Sequence, residues 1–286
     1  MLELLVSPKR AEKDPWILFL IGLLYSALSF FIVKLLFSTD PVLKRNSGLL
    51  IVFLSALFSI ILVYFLMRRE GKESLRSNEK NKASNEWKVL YLLILLFLGF
   101  LVGFTILQII FPNQIEFNSQ METYCVMKSP TNYLNCFNEY NLTSTLSGID
   151  TAPKGHFYSI LGNNISVSLT ILIFTILFGA GVTFILVWNA SMIASVIALS
   201  IKYKLSGLPL GLSRFLVHGI PEIMAYFVFA LAGGMLSIAL RDFLKRSLSK
   251  ERFIKILKKC TYLLGLGLII LIIAALIELN ITPHLF

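Results

Sequence analysis

The chain has 286 residues, 56% of them apolar and 15% charged, with a mean hydropathy of +0.78 and a formal net charge of +10. That balance lies outside the soluble globular range and predicts an all-α, polytopic transmembrane helical bundle of about seven spans. The charge does not point to nucleic acid: 3, 7 and 8 of the 26 Lys and Arg fall in residues 1–15, 68–88 and 241–259, which border apolar runs and form no folded basic domain.

Ahead of the first apolar run stand Lys9, Arg10, Glu12, Lys13 and Asp14, without a small-residue cleavage site, so a retained helix is expected in place of a signal peptide. Span one covers about 16–37, followed by a short turn from Ser38 to Ser47 and span two over about 48–67, ending at Arg68-Arg69. Residues 70–88 are polar and charge-dense and read as a mobile linker. Span three covers about 89–111 and closes at Pro112. Residues 112–160 are the longest polar segment, large enough for a small ordered cap and too small for an independent enzyme domain. They hold the glycan-acceptor triplet Asn141-Leu142-Thr143, a weak three-residue match, and two cysteines. Cys125 and Cys136 are either a disulfide, if this loop lies outside the cytoplasm, or two free thiols; no Cys/His spacing suggests a zinc site, and no metal or cofactor is expected.

The apolar run from Asn163 to Ile201 is too long for one crossing. The hairpin between spans four and five is placed at Gly179-Ala180-Gly181, with Trp188-Asn189 as the competing break. Residues 202–219 read as a loop, and span six is expected from Ile220-Pro221 to Arg241. Residues 241–259 read as a surface-lying amphipathic helix, and span seven covers about 260–281. Placing all three basic clusters in the cytoplasm requires seven crossings of the plasma membrane, with the N-terminus inside, the C-terminus outside and the 112–160 loop outside.

Polar side chains are expensive in hydrocarbon and persist where something pairs or uses them. The topology gathers Asn163, Asn164, Arg214, His218 and Glu222 at the outer leaflet, with Asn189 deeper, and amide, imidazole and carboxylate together suit a cation, a proton or a polar headgroup. Each also has a structural explanation. Pro221 suits a first helical position with Glu222 complementing that helix N-terminus, His218 then preceding the helix; the Asn163-Asn164 pair suits an N-cap of span four, and Asn189 an interhelical hydrogen bond. The small residues Gly179, Gly181, Ala230, Gly233, Gly234, Gly265 and Gly267 suit close helix packing.

Asn163-Asn164-Ile165-Ser166-Val167, Gly179-Ala180-Gly181, Asn189, and His218-Gly219-Ile220-Pro221-Glu222 running on to Ala232-Gly233-Gly234 together resemble the stage II sporulation protein M family. The family commonly has Asn-Gly where this chain has Asn189-Ala190, and Pro-His-Gly where it has Val217-His218-Gly219. The resemblance covers roughly 88–282 as a five-span core, dividing the chain into a two-span extension with its basic linker (1–88) and the core with its extracytoplasmic loop (89–286). The extension resembles that of archaeal members through Ser7-Pro8-Lys9-Arg10-Ala11-Glu12 and Pro15-Trp16.

The resemblance implies no catalytic activity and no catalytic residues. In endospore-forming bacteria the named member is a membrane scaffold for peptidoglycan-degrading enzymes during engulfment. The expected function is a non-enzymatic scaffold in the lipid bilayer that recruits other membrane or cell-envelope proteins, with homo-oligomerisation open. The alternatives are a transporter or channel using the outer-leaflet polar cluster, and an intramembrane metal-dependent hydrolase using His218 and Glu222.

Overall fold

The structure, a computed structural model, describes residues 14–37, 39–76, 79–111, 116–128, 133–139, 157–178, 182–202 and 208–280. Among these the elements are all helical: α1 (Trp16–Phe37), α2 (Pro41–Arg45), α3 (Ser47–Arg76), α4 (Glu79–Ile110), α5 (Asn118–Lys128), α6 (Tyr133–Glu139), α7 (Phe157–Phe178), α8 (Val182–Lys202), α9 (Leu208–Leu244) and α10 (Lys250–Asn280). Seven of them (α1, α3, α4, α7, α8, α9 and α10) are long and apolar enough to cross a membrane. The break between α7 and α8 falls at residues 179–181, which lie outside the described residues, while Trp188 and Asn189 sit inside α8. Asn141-Leu142-Thr143 and residues 7–12 likewise lie outside them.

Three expected loops or surface segments are built differently. The charged stretch 70–88 continues two spans, α3 running to Arg76 and α4 starting at Glu79, because Lys, Arg and Glu sustain a helix after it leaves the apolar layer. Residues 208–219 belong to α9, so only part of the expected 202–219 loop separates α8 from α9. Residues 241–259 are no single surface helix: α9 stops at Leu244, and α10 starts at Lys250 and runs straight into its span. At that corner Arg246 takes a φ of 55°, the left-handed conformation that ends a helix, and Ser247 N–H returns to Asp242 O at 2.9 Å. Phe243 stacks on Phe253 with ring centroids 4.5 Å apart, fixing the angle between the two helices.

Helices α4, α8 and α9 are the most enclosed of the seven. Helix α4 packs against α1 and α8; α9 packs against α10, α7 and α3. Arg241 of α9 donates to the hydroxyl of Tyr64 on α3 at 3.2 Å, which places those two helix ends together. This basic end of the bundle lies opposite the end that carries α5 and α6.

Lipid tails supply no hydrophobic drive between helices, so close approach of backbones matters most. Helices α1 and α4 meet through glycine on both sides. A Cβ at Gly22 would lie 2.6 Å from Leu96 O, one at Gly99 would collide with Phe19 O, and one at Gly103 with Ser26 Oγ. Gly99 and Gly103 are spaced four apart on one helix face. Elsewhere Gly267 of α10 receives the ring of Phe229, whereas Gly265 faces open space.

A side chain at position 99 must therefore part α1 from α4. Gly99→Leu should destabilise the detergent-solubilised protein by about 1–3 kcal/mol, read as a lower thermal unfolding midpoint. Gly265→Ala should leave the midpoint unchanged or slightly raised, because alanine is the better helix former.

Candidate functional site

Pro221 lacks the N–H that would return to the carbonyl of Val217, yet α9 continues through it from Leu208 to Leu244. Inside an apolar layer a helix is the one local structure that satisfies the remaining backbone groups, so proline is tolerated there. This corrects the expectation that Pro221 opens the helix and that His218 precedes it. His218, Glu222 and Tyr226 are spaced four apart and share one face of α9.

Two further helices meet that face. Helix α7 begins at Phe157, so Asn163 and Asn164 lie inside it and do not cap it. Asn164 is buried at 4% exposure, and its Nδ2 donates to Glu222 Oε1 at 2.6 Å. Asn163 is exposed and its Nδ2 donates to Asn164 Oδ1 at 3.4 Å. Helix α10 packs along α9 and carries Glu278 in its last turn. Tyr226 is buried at 4% exposure, and both glutamates are half-buried.

At about 1.5 Å per residue Glu222 stands roughly 28 Å along α9 from Arg241, close to a full hydrocarbon thickness of about 30 Å. Contacts of Cys260 with Ala232 and of Gly267 with Phe229 set the register of α10 on α9, and they carry Glu278 beyond the level of Glu222.

Hydrogen bonds join Asn163, Asn164 and Glu222, as the sequence suggests, and Tyr226 lies one turn from Glu222 on the same face of α9. Glu278 has a signal in the sequence: it is an acid in the last turn of a helix, where the helix dipole disfavours negative charge and no basic residue offsets it. Tyr226 has none, because one tyrosine among aromatic core residues looks like packing. Asn189 does not join: its Nδ2 bonds Ile185 O of its own helix at 2.8 Å, in place of the expected interhelical bond. The side chain of Arg214 lies outside the described residues. No group of three or more His, Cys, Asp and Glu is assembled among the described residues.

A second polar centre lies where α5 enters the bundle. Cys125 and Cys136 are bonded, with Cα atoms 5.6 Å apart, tying α5 to α6. Phe117, just before α5, stacks on Phe30 of α1 and meets Phe104 of α4 edge-on, each at 6.0 Å. Gln120 is fully buried; its Nε2 donates to Gly48 O at 3.1 Å on α3 and to Ser191 Oγ at 3.3 Å on α8. The Gln120 amide lies so close to Gly48 that a Cβ there would collide with it. The segment expected as an outer cap is thus partly a root, with its first helix fastened to two spans, α3 and α8.

The family model for stage II sporulation protein M matches residues 17–283. That range takes in α1 and α3 as well as the roughly 88–282 over which the sequence motifs are recognised. An uncharacterized protein of Methanocaldococcus jannaschii is 31% identical over 158 residues, covering 54% of this chain and 84% of that one. No solved structure matches.

Removing the Asn164 amide strands the Glu222 carboxylate among apolar neighbours. Asn164→Leu should cost about 1–3 kcal/mol of stability, measured as a drop in unfolding midpoint. Asn189→Leu, which removes a bond within one helix at a half-buried position, should cost below about 1 kcal/mol.

Proposed function

Because the chain belongs to the stage II sporulation protein M family, we propose that it is a non-enzymatic membrane scaffold. It recruits partner proteins of the membrane or cell envelope through the face that carries α5 and α6. One observation carries this reading: a polar segment between spans is closed by Cys125–Cys136 and rooted through Gln120 in α3 and α8. A segment held in this way loses little further conformational freedom on binding, which favours docking. Leu134, Asn135 and Asn138 of α6 remain exposed on it.

The same reading sets the orientation in the plasma membrane. The disulfide favours an oxidising compartment for the α5–α6 end, and the basic residues at the opposite end favour the cytoplasm. The N-terminus is then cytoplasmic and the C-terminus extracytoplasmic.

Two measurements test the proposal in intact cells. An impermeant thiol reagent should label Leu134→Cys directly and Lys245→Cys only after permeabilisation; labelling of both from one side would reject the orientation. A photo-crosslinker placed at Asn135 or Asn138 should yield discrete adducts with other proteins, while one at the exposed Leu169 of α7 should yield lipid adducts. Identical lipid-only products from all three positions, or solute flux by the purified protein alone in liposomes, would overturn the scaffold reading.

A further inference from the structure

Three contacts fix the register of α10 on α9 at the basic end. Phe243 stacks on Phe253, Cys260 Sγ reaches Ala232 O at 3.5 Å, and the ring of Phe229 lies over Gly267. The two helices run antiparallel, so Lys255 stands near the level of Arg241 and Lys258 faces the level of residues 234–238 of α9, all uncharged. At about 1.5 Å per residue Lys258 is roughly 5–10 Å inside the last charged position of α9. A lysine at that depth must reach an anion or water with its long stem.

No acid of the neighbouring helices stands at that level. On α10 the acids are Glu251, one turn before Lys255 on the side away from the apolar layer, and Glu278 at the far end. On α9 the nearest is Asp242, half-buried at the corner, and α7, which also packs along α10, contains no Asp or Glu. The outward face of α10 has a second feature. Phe253, Ile256 and Cys260 turn toward the bundle, while Lys255, Lys258 and Tyr262 follow one another at helical spacing on the opposite, exposed side. Tyr262 is 71% exposed, and beside the lysines Ile254 and Leu257 are exposed as well. One turn further into the layer the strip reaches Gly265, where an added Cβ would meet nothing within 4 Å.

We propose that the strip Lys255, Lys258, Tyr262 and Gly265 on the outward face of α10 binds an anionic phospholipid. The two ammonium groups face the phosphate, the phenol sits at headgroup level, and an acyl chain lies along the helix where Gly265 leaves it bare. Charge complementarity selects the occupant: the two lysines call for an anion, and the exposed apolar residues between them and the open glycine beyond them suit an acyl chain, which a soluble anion lacks. The strip is at the end of the bundle away from α5 and α6, so this inference does not rest on the scaffold proposal.

The test reads lipid contact locally. Thr261 is exposed beside the strip and Cys260 is buried, so a fluorophore on Thr261→Cys reports on this face. The full chain is reconstituted in phosphatidylcholine vesicles containing small fractions of nitroxide-labelled phosphatidylglycerol or nitroxide-labelled phosphatidylcholine. Half-maximal quenching should need a fraction of the anionic lipid about fivefold lower, or less, than of the neutral one, and added salt should narrow the difference. Lys255→Gln with Lys258→Gln should bring the two lipids together. Lys250→Gln with Arg252→Gln removes as much charge from the same helix, on the side away from the apolar layer, and should keep most of the preference. All four positions are on an exposed surface, so the fold is retained in both pairs. Equal quenching by the two lipids in the otherwise unsubstituted chain, or an equal loss of preference in the two pairs, would overturn the proposal.

Discussion

An apolar layer has no water to accept or donate a hydrogen bond, so each polar group carried into it must be satisfied by the protein itself. Several serines and threonines of the spans meet this demand locally, while the buried hydroxyls of Ser55, Ser168 and Thr175 find no hydrogen-bond partner among the described residues. Ser29 returns to Tyr25 O at 2.7 Å, Ser59 to Ser55 O at 2.8 Å, Thr105 to Leu101 O at 2.7 Å and Ser195 to Ser191 O at 2.9 Å. The same demand keeps α9 helical through Pro221, and that continuity aligns His218, Glu222 and Tyr226.

Other polar side chains reach between helices. Gln120, Ser237 and Asn164 do so, and each bond joins elements far apart in the chain: α5 to α3 and α8, α9 to α7, and α7 to α9. Such bonds add modestly to affinity between spans but fix which faces meet, because a rotated helix would leave both partners unpaired. Two of these three tie α7 to α9, although α7 is the least enclosed of the spans. Polar register, together with glycine contacts such as Gly233 against Thr175, holds a helix that has little apolar area to bury.

The bundle has two polar centres at the end away from its basic residues. One is a root, in which Gln120 and the stacked Phe117 fasten a disulfide-closed segment to the spans. The other is the hydrogen-bonded group of Asn163, Asn164 and Glu222, built from α7 and α9. They use different helices, so neither centre shares a hydrogen-bond partner with the other.

Composition and the placement of Lys and Arg were enough to read an all-helical bundle of seven spans, because length and hydropathy are properties of the chain alone. Asn164 and Glu222 were legible as candidates for the same reason: a polar side chain inside an apolar run is anomalous before any fold is known. Which anomalies meet was decided by tertiary structure. Asn189 turned back to its own helix, while Asn164 reached across to Glu222 on α9. Local pattern also misplaced the start of α9, since proline and glycine break helices in water, whereas an apolar layer leaves the backbone no better alternative than to stay helical.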